Sequence, residues 1–374
     1  MGKRGNGEGS ITRHKKSGLY MARYTVQTAA GPKRKTIYGK TREDVADKLA
    51  EALANRSKGL LFDAGNMTLG EYLGRWLTEC VRETVRECTY RRYESIVRVN
   101  LVPDIGRIKL KSLTPAHVRA FYREKLDGGL SPQTVLHIHR VLSRALKQAV
   151  DDGLIPRNPT GSVKPPRPRR DEIRPLSADQ ARRFLDTVSG ERLEALYVLA
   201  VTTGMRQGEL LGLKWEDIDL DAGTLSVRRT LSEVRGGRKF EAPKSGKGRR
   251  IRLSGRAITA LRAHRKALLE ERMQRAGLWQ EQDLVFPSGV GTPMSGRNLY
   301  REFKTLLKRA DLPDIRFHDL RHTCATLLLR QGVNPKFVQE LLGHADISLT
   351  LNTYSHILPD MGDAAASAMD AALG

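Results

Sequence analysis

Residues 318–354 read HDLRHTCATLLLRQGVNPKFVQELLGHADISLTLNTY, and their spacing decides how the rest of the chain is read. His318 and Arg321 stand three apart where a helical pattern begins, so their side chains share one face and can converge on a single small anion. His344 follows Leu342-Gly343, and Tyr354 comes ten residues later. A tyrosine serves as a nucleophile when its phenol proton is removed and cations hold the charge developing on its target. His318 and His322 are also four apart, the spacing of a metal pair on a helix. The glutamate that follows the first histidine of a zinc-protease motif is missing, Asp319 standing there instead, so no metal is expected. His322 reads as an ordinary satisfied polar residue. Leu327, Leu328, Leu329, Val338, Leu341 and Leu342 read as core.

A second informative stretch lies upstream, TTGMRQGELLGLKWEDID at residues 202–219. Gly204 breaks the preceding helical pattern, so Arg206 sits at the mouth of the next helix with Glu209 three residues on. Alone, this would be a surface Arg–Glu pair. Followed by the HxxR stretch, it forms an ordered set: Arg206, His318, Arg321, His344 and Tyr354. That set resembles the tyrosine recombinases, the phage integrase family, and the resemblance covers Ser10 to about Met361.

The resemblance implies a chemistry that the residue types suit. A phosphodiester already carries negative oxygens, and attack on it adds charge that must be neutralised. Two planar, permanently charged guanidinium groups grip such oxygens bidentately, the role assigned to Arg206 and Arg321. His344 would donate a further hydrogen bond, and His318 lies where it could accept or relay the Tyr354 proton. Lys244 matches the family's β-hairpin lysine and would protonate the departing 5′ oxygen. Lys247 is its alternative, since residues 235–252 hold eight cations and one acid. Glu209 orients the network. The implied outcome is a 3′-phosphotyrosyl link and a free 5′ hydroxyl, followed by attack from a partner strand. Neither ATP, metal nor any other cofactor is required.

Composition agrees with a polyanionic partner. The 374 residues carry 65 Lys and Arg against 42 Asp and Glu, a formal charge of +23 that would repel itself in a compact protein without one. No apolar run is long enough to span a bilayer, and the first residues lack the apolar stretch of a signal peptide. Three cysteines in this length do not make a disulfide framework, which fits a reducing cytoplasm.

Taken in order, the pattern predicts an α+β multidomain chain. Residues 1–57 hold short strands at Ser10 to His14, Leu19 to Val26 and Arg34 to Tyr38, with turns at Ser17-Gly18 and Gly31-Pro32. A helix capped by Thr41 follows, with Val45, Leu49 and Leu53 on one face. Up to Lys40 there are ten cations and one acid. Arg13, Lys15, Lys16, Arg23, Lys33, Arg34 and Lys35 lie on or beside the strands, suiting a sheet laid into a DNA major groove. This unit resembles the arm-type DNA-binding domain of integrases. Residues 66–163 read as a bundle of four to five helices, by resemblance the core-binding domain, with Arg91, Arg92, Arg140 and Arg144 among its exposed cations. A basic, proline-rich linker at 164–175 separates it from a larger domain at 176–374, which is mainly α-helical with a small antiparallel sheet. Strands are expected at Thr224 to Val234, Lys239 to Ala242 and Arg249 to Leu253, the last two flanking the lysine hairpin. Beyond Tyr354, Met361 onward reads as a weakly apolar helix that must dock on its own domain or a neighbouring subunit.

The family reading implies an integrase acting on double-stranded DNA with core and arm sites. It also implies a homo-tetramer on paired sites, a directionality factor and a DNA-bending host protein. A recombinase that resolves chromosome or plasmid dimers would generally lack residues 1–57. A non-catalytic regulator would be expected to show a degraded catalytic set.

Overall fold

A computed structural model describes residues 10–15, 17–28, 31–57, 66–168, 174–234, 236–243, 248–344, 346–354 and 369–373. Lys16, Lys244 and Lys247 lie outside the described residues. The chain divides into two compact units, Met1–Arg170 and Asp171–Gly374.

The first unit begins with strands β1 (Ser10–Arg13), β2 (Tyr20–Thr28) and β3 (Gly31–Gly39), antiparallel and in that order. Helix α1 (Arg42–Ser57) starts beside Thr41, whose hydroxyl accepts from the Asp44 amide at 3.1 Å. It buries Val45 and Leu49 against Ala22 of β2. The Gly31-Pro32 pair, expected to form the turn, belongs to β3: Thr28 pairs with Gly31 and Gln27 with Pro32. A proline lacks an N–H, but β3 is an edge strand, where the missing donor need not break the sheet.

Next come α2 (Leu69–Trp76), α3 (Glu87–Ile96), α4 (Val102–Ile105), α5 (Pro115–Asp127) and α6 (Pro132–Asp151). A reciprocal capping box of Thr68 and Glu71 opens α2. Prolines at the first turns of α5 and α6 follow the caps Thr114 and Ser131. Single π-helical turns, Leu77–Val81 and Val97–Leu101, extend α2 and join α3 to α4. The shared core includes Leu73, Trp76, Leu101, Phe121, Ile138 and Leu142. Within it the Tyr72 hydroxyl donates to the Ala145 carbonyl at 2.7 Å, fastening α2 to α6.

The second unit runs α7 (Ala178–Thr187), α8 (Glu194–Thr203) and α9 (Gln207–Leu211). Five strands follow: β4 (Ile218–Asp219), β5 (Thr224–Val227), β6 (Thr230–Val234), β7 (Gly237–Glu241) and β8 (Arg249–Arg252). Then come α10 (Gly255–Gln274), α11 (Gly296–Arg309), α12 (Asp319–Arg330), α13 (Pro335–Leu342) and α14 (Ile347–Tyr354). Helix α8 is apolar on every side and buried, and it packs against α7, α10 and α12. Phe184, Tyr197, Phe303 and Phe317 interlock around it.

The strands differ from expectation in an instructive way. The continuous run from Thr224 to Val234 is two strands, broken at Arg228 and Arg229. Arg229 binds Asp217 and Glu216, and Arg228 reaches the same Asp217. The break sends the partners to different sheets: β8 pairs with β5 in the order β4-β5-β8, and β7 pairs with β6. The segment carrying Lys244 and Lys247 therefore connects two sheets; it does not tip a β7–β8 hairpin. The architecture is otherwise the α+β, mainly helical one the sequence suggests. Among the described residues no helix is long and apolar enough to cross a membrane. Residues 369–373 are helical with Met369 and Leu373 exposed, while residues 361–368 of the expected tail helix lie outside the described residues.

Two glycines test this packing in opposite directions. A Cβ on Gly208 would lie 2.5 Å from Thr230 Oγ1 and 2.8 Å from the Leu231 carbonyl of β6. Gly208→Ala is expected to cost about 1–3 kcal/mol, as overpacking does. Gly74, exposed in α2, has nothing within 4 Å of such a Cβ. Gly74→Ala is expected to stabilise by roughly 0.5–1 kcal/mol. Denaturant titration of the two variants checks both signs.

Candidate active site

Helix α8 ends at Gly204, which adopts the left-handed conformation (φ 61°) that favours glycine. The turn presents the Gly204 carbonyl to Arg321 Nη1 at 2.8 Å and delivers Arg206 to the start of α9. A Cβ on Gly204 would lie 2.5 Å from Leu342 Cδ2, so the α8–α9 turn and the end of α13 are in direct contact.

Glu209 is the hub. Its side chain is almost fully buried, and three groups donate to it: the Arg206 amide at 3.0 Å, Arg206 Nη1 at 2.8 Å and the Arg249 guanidinium at 2.7 and 3.1 Å. Burial pushes the carboxyl pKa up, but Arg249's hydrogen bonds and charge, followed by those of Arg206, outweigh it and hold it down at about 2. Both arginines continue to the end of α13: Arg249 Nε donates to the Leu341 carbonyl at 2.7 Å and Arg206 Nη2 to Gly343 at 3.3 Å. Gln339 Nε2 holds the His344 carbonyl at 2.9 Å. Sequence reading gave Arg249 no role. Its signal was a cation opening a strand within a basic run, which nothing local separates from its neighbours.

Helix α12 brings the remaining groups. Asp319, buried at its first turn, accepts from the Arg316 amide and guanidinium. Arg321 is 3 % exposed; its Nη2 has no hydrogen-bond partner among the described residues. Its burial and the charge of Arg206 work against protonation, yet a guanidinium remains charged at neutral pH. His318 stands at the start of α12 with an exposed edge. The packing around its ring, then His322 and Arg321, push its pKa down to about 4. His344 is lowered to about 4 as well, by burial and then the charges of Arg321 and Arg206. Arg206, Arg321, His318 and His344 thus share one electrostatic neighbourhood.

Tyr354 ends α14 and is 1 % exposed, packed with Ala325, Leu329, Val338 and Leu342. Burial raises its phenol pKa against the lowering effect of Arg321. Its hydroxyl is 2.7 Å from His322 Nδ1. His318, the residue that sequence reading put on this proton, instead meets His322 edge-on, ring centroids 5.2 Å apart. The physical reason is helical geometry: position 322 lies about one turn beyond 318 along α12, toward the layer where Tyr354 packs. Among the described residues there is no cluster of three or more His, Cys, Asp or Glu side chains that could hold a metal ion.

The candidate DNA-contacting cations fall on the first unit. Arg13, Lys15, Arg23 and Arg34 are exposed, and Lys35 is half-buried. Lys33 lies in β3, its side chain outside the described residues. Arg13 also donates to Gly18 and sits over the Tyr20 ring. Arg91 and Arg92 are exposed on α3, Arg140 and Arg144 on α6. Burial, then the charges of Arg92 and Arg140, lower the His137 pKa, which puts those two cations on one patch. Arg144 donates to the Tyr93 hydroxyl at 3.2 Å and lies over its ring.

Residues 174–360 match the phage integrase family, and residues 68–126 the phage integrase N-terminal SAM-like domain. A tyrosine recombinase XerC-like protein of Caldanaerobacter subterraneus subsp. tengcongensis is 33% identical over 347 residues, covering 87% of this chain and 88% of that one. An integrase of Saccharopolyspora erythraea is 26% identical, with 87% of each chain covered. In fold, the chain is similar to the Tn1549 transposon integrase in complex with a circular intermediate DNA. That match has a TM-score of 0.70 and 24% identity over 81% of this chain and 99% of the other. The chain belongs to the phage integrase family, the tyrosine-type site-specific recombinases.

The Glu209 hub yields a test with a defined sign. A folded-state pKa of about 2, below the ordinary 4.5, means its stabilisation is complete above pH 4.5 and is lost as pH falls toward 2. Glu209→Gln leaves two guanidinium groups without their counter-charge and is expected to cost about 3–5 kcal/mol at neutral pH. The gap between wild-type and variant stability should shrink as pH drops through that window. Urea unfolding at a series of pH values measures it.

Proposed function

We propose that this protein is an integrase of a phage or mobile element, cutting and rejoining double-stranded DNA at specific sites through a 3′-phosphotyrosyl intermediate. The observation that carries the reading is the convergence of Arg206, Arg321 and His344 in one charge neighbourhood that Tyr354 shares through Arg321, with the buried Arg321 Nη2 left without a partner among the described residues. A buried donor without a partner is costly, and a non-bridging phosphate oxygen is the acceptor that suits it.

In this mechanism Arg206 and Arg321 bind the scissile phosphate and stabilise the added charge, and His344 donates a further hydrogen bond. Tyr354 Oη attacks phosphorus, the bond to the 5′ oxygen breaks, and Lys244 supplies the proton to that oxygen, Lys247 being its alternative. A 5′ hydroxyl from a partner strand then reverses the chemistry and displaces the tyrosine. Glu209 and Arg249 position the arginines and react with nothing. The phosphotyrosyl bond stores the energy of the broken linkage, so no nucleotide cofactor enters.

Residues 1–57 would serve as an arm-site binding domain, with Arg13, Lys15, Lys16, Arg23, Lys33, Arg34 and Lys35 among the groups that neutralise phosphates. Residues 66–163 would bind the core site through Arg91, Arg92, Arg140 and Arg144, with 164–175 as linker to the catalytic domain at 176–374. Strand exchange between two sites requires four such subunits, and a DNA substrate places the protein in the cytoplasm. A directionality factor and a DNA-bending host protein complete the assembly.

Incubation with nicked duplexes carrying candidate attachment sites should trap a covalent protein–DNA adduct. Tyr354→Phe should abolish the adduct while DNA binding stays within about twofold, since only the nucleophilic oxygen is lost. A full yield of adduct from that variant would exclude Tyr354 as nucleophile. Removal of residues 1–57 should preserve core-site cleavage but abolish arm-site binding, whose affinity in the full chain falls steeply with salt. Equal integration frequency with and without the segment would favour a dimer-resolving role.

A further inference from the structure

His322 is in hydrogen-bond contact with the nucleophile. Its Nδ1 lies 2.7 Å from Tyr354 Oη, and the two rings are 5.8 Å apart. Both residues sit on helices, α12 and α14, and Tyr354 is walled by Ala325, Leu329, Val338 and Leu342, which leaves solvent little access. A buried phenol cannot shed its proton to bulk water, so the proton must pass to a neighbouring group with a free lone pair. The guanidinium groups have none, since arginine is a donor only. A neutral imidazole with its proton on Nε2 offers Nδ1 as the acceptor.

We infer that His322 is a catalytic residue of the recombination chemistry, the group that takes the proton from Tyr354 as it attacks. The inference rests on the recombinase reading above and deepens it. In the step, the Tyr354 O–H bond passes its proton to His322 Nδ1 while Oη bonds to phosphorus. The bond from phosphorus to the 5′ oxygen breaks, and that oxygen takes a proton from Lys244 as proposed above. On religation the imidazolium returns the proton to the departing Tyr354 oxygen. His318 meets the same ring edge-on, centroids 5.2 Å apart, and a charge on His322 works against protonation of His318.

The surroundings fit a neutral acceptor. Burial lowers the His322 pKa foremost; Asp319 raises it, and Arg316 and Arg321 lower it. His318 and His344 also lie in its electrostatic range, and Arg206 joins Arg321 in acting on both of them. The ring is therefore neutral at and somewhat below neutral pH, and activity that depends on it is lost only as pH falls through its lowered pKa.

The test is single-turnover adduct formation on a nicked core-site duplex over a range of pH, with the full chain. It compares wild type, Tyr354→Phe, His322→Ala and His322→Asn. Half-site binding by fluorescence anisotropy establishes that each variant is folded. Asparagine can keep a hydrogen bond to the phenol but cannot take its proton. Both His322 variants should lose about 10²-fold or more in rate with binding unchanged, the range general-base removal gives. Their rates should also rise with hydroxide concentration where the wild-type rate is flat. His322→Asn within threefold of wild type, a slow variant keeping the wild-type pH profile, or a variant faster than wild type would each overturn the assignment. The first two outcomes would leave His322 an orienting group, and the third a latch on the tyrosine. Failure of wild type to form any adduct would overturn the recombinase reading instead.

Discussion

A single buried carboxylate holds the second unit's site together. Glu209 accepts from two arginines on different elements, Arg206 at the start of α9 and Arg249 at the start of β8. Both of these reach on to carbonyls at the C-terminal end of α13. Without its charge, two guanidinium groups would face each other beside a third, Arg321. With it, two cations are held where their remaining donors point toward one region. The carboxylate thus converts a repulsive cluster into a preorganised anion receptor, at the cost of burying three charges. Close packing goes with this arrangement: glycines at 208 and 212 give α9 its clearance against β6, and Gly204 gives the α8–α9 turn its clearance against Leu342.

What the sequence revealed and what it hid divide along a physical line. Arg206 with Glu209 and His318 with Arg321 are pairs three apart, so helical geometry alone predicts that each shares a face. The reach of Tyr354 to His322 is a tertiary fact, set by how α14 packs on α12. Without that packing, His322 is one polar residue in a helix. Arg249 was hidden for a similar reason, its partners lying 40 and 92 residues away in the chain. The helical module was legible because its caps are local: Thr68 with Glu71, and prolines after Thr114 and Ser131.

The sheets were the least legible part. Alternation predicted one strand from Thr224 to Val234, and β propensity has no means of registering a break made by charge. Arg228 and Arg229 pair with Asp217 and Glu216, and the strands on either side of them join different sheets. Pro32 misled in the opposite sense. A Gly-Pro pair usually marks a turn, but an edge strand tolerates a proline, and here the pair continues β3. In both cases a short-range statistic was overruled by what lay across the chain.

The site as it stands is arranged around a charge it does not contain. Two arginines meet one buried carboxylate, a third, Arg321, keeps a donor without a partner among the described residues, and three histidines are held below their ordinary pKa by packing and by nearby cations. The phenol beside them is held protonated by burial. A bound phosphodiester would supply the missing anion. It would pair Arg321 and offset the field of Arg206 and Arg321, which now works against protonation of the histidines. The same field favours a phenolate, so substrate binding alone would not ionise Tyr354. Ionisation needs a base in contact with the oxygen, and the developing bond to phosphorus removes the phenolate charge as the proton leaves. Nucleophile activation and phosphate binding are in this way coupled through electrostatics, and the tyrosine stays inert until DNA fills the receptor that Glu209 organises.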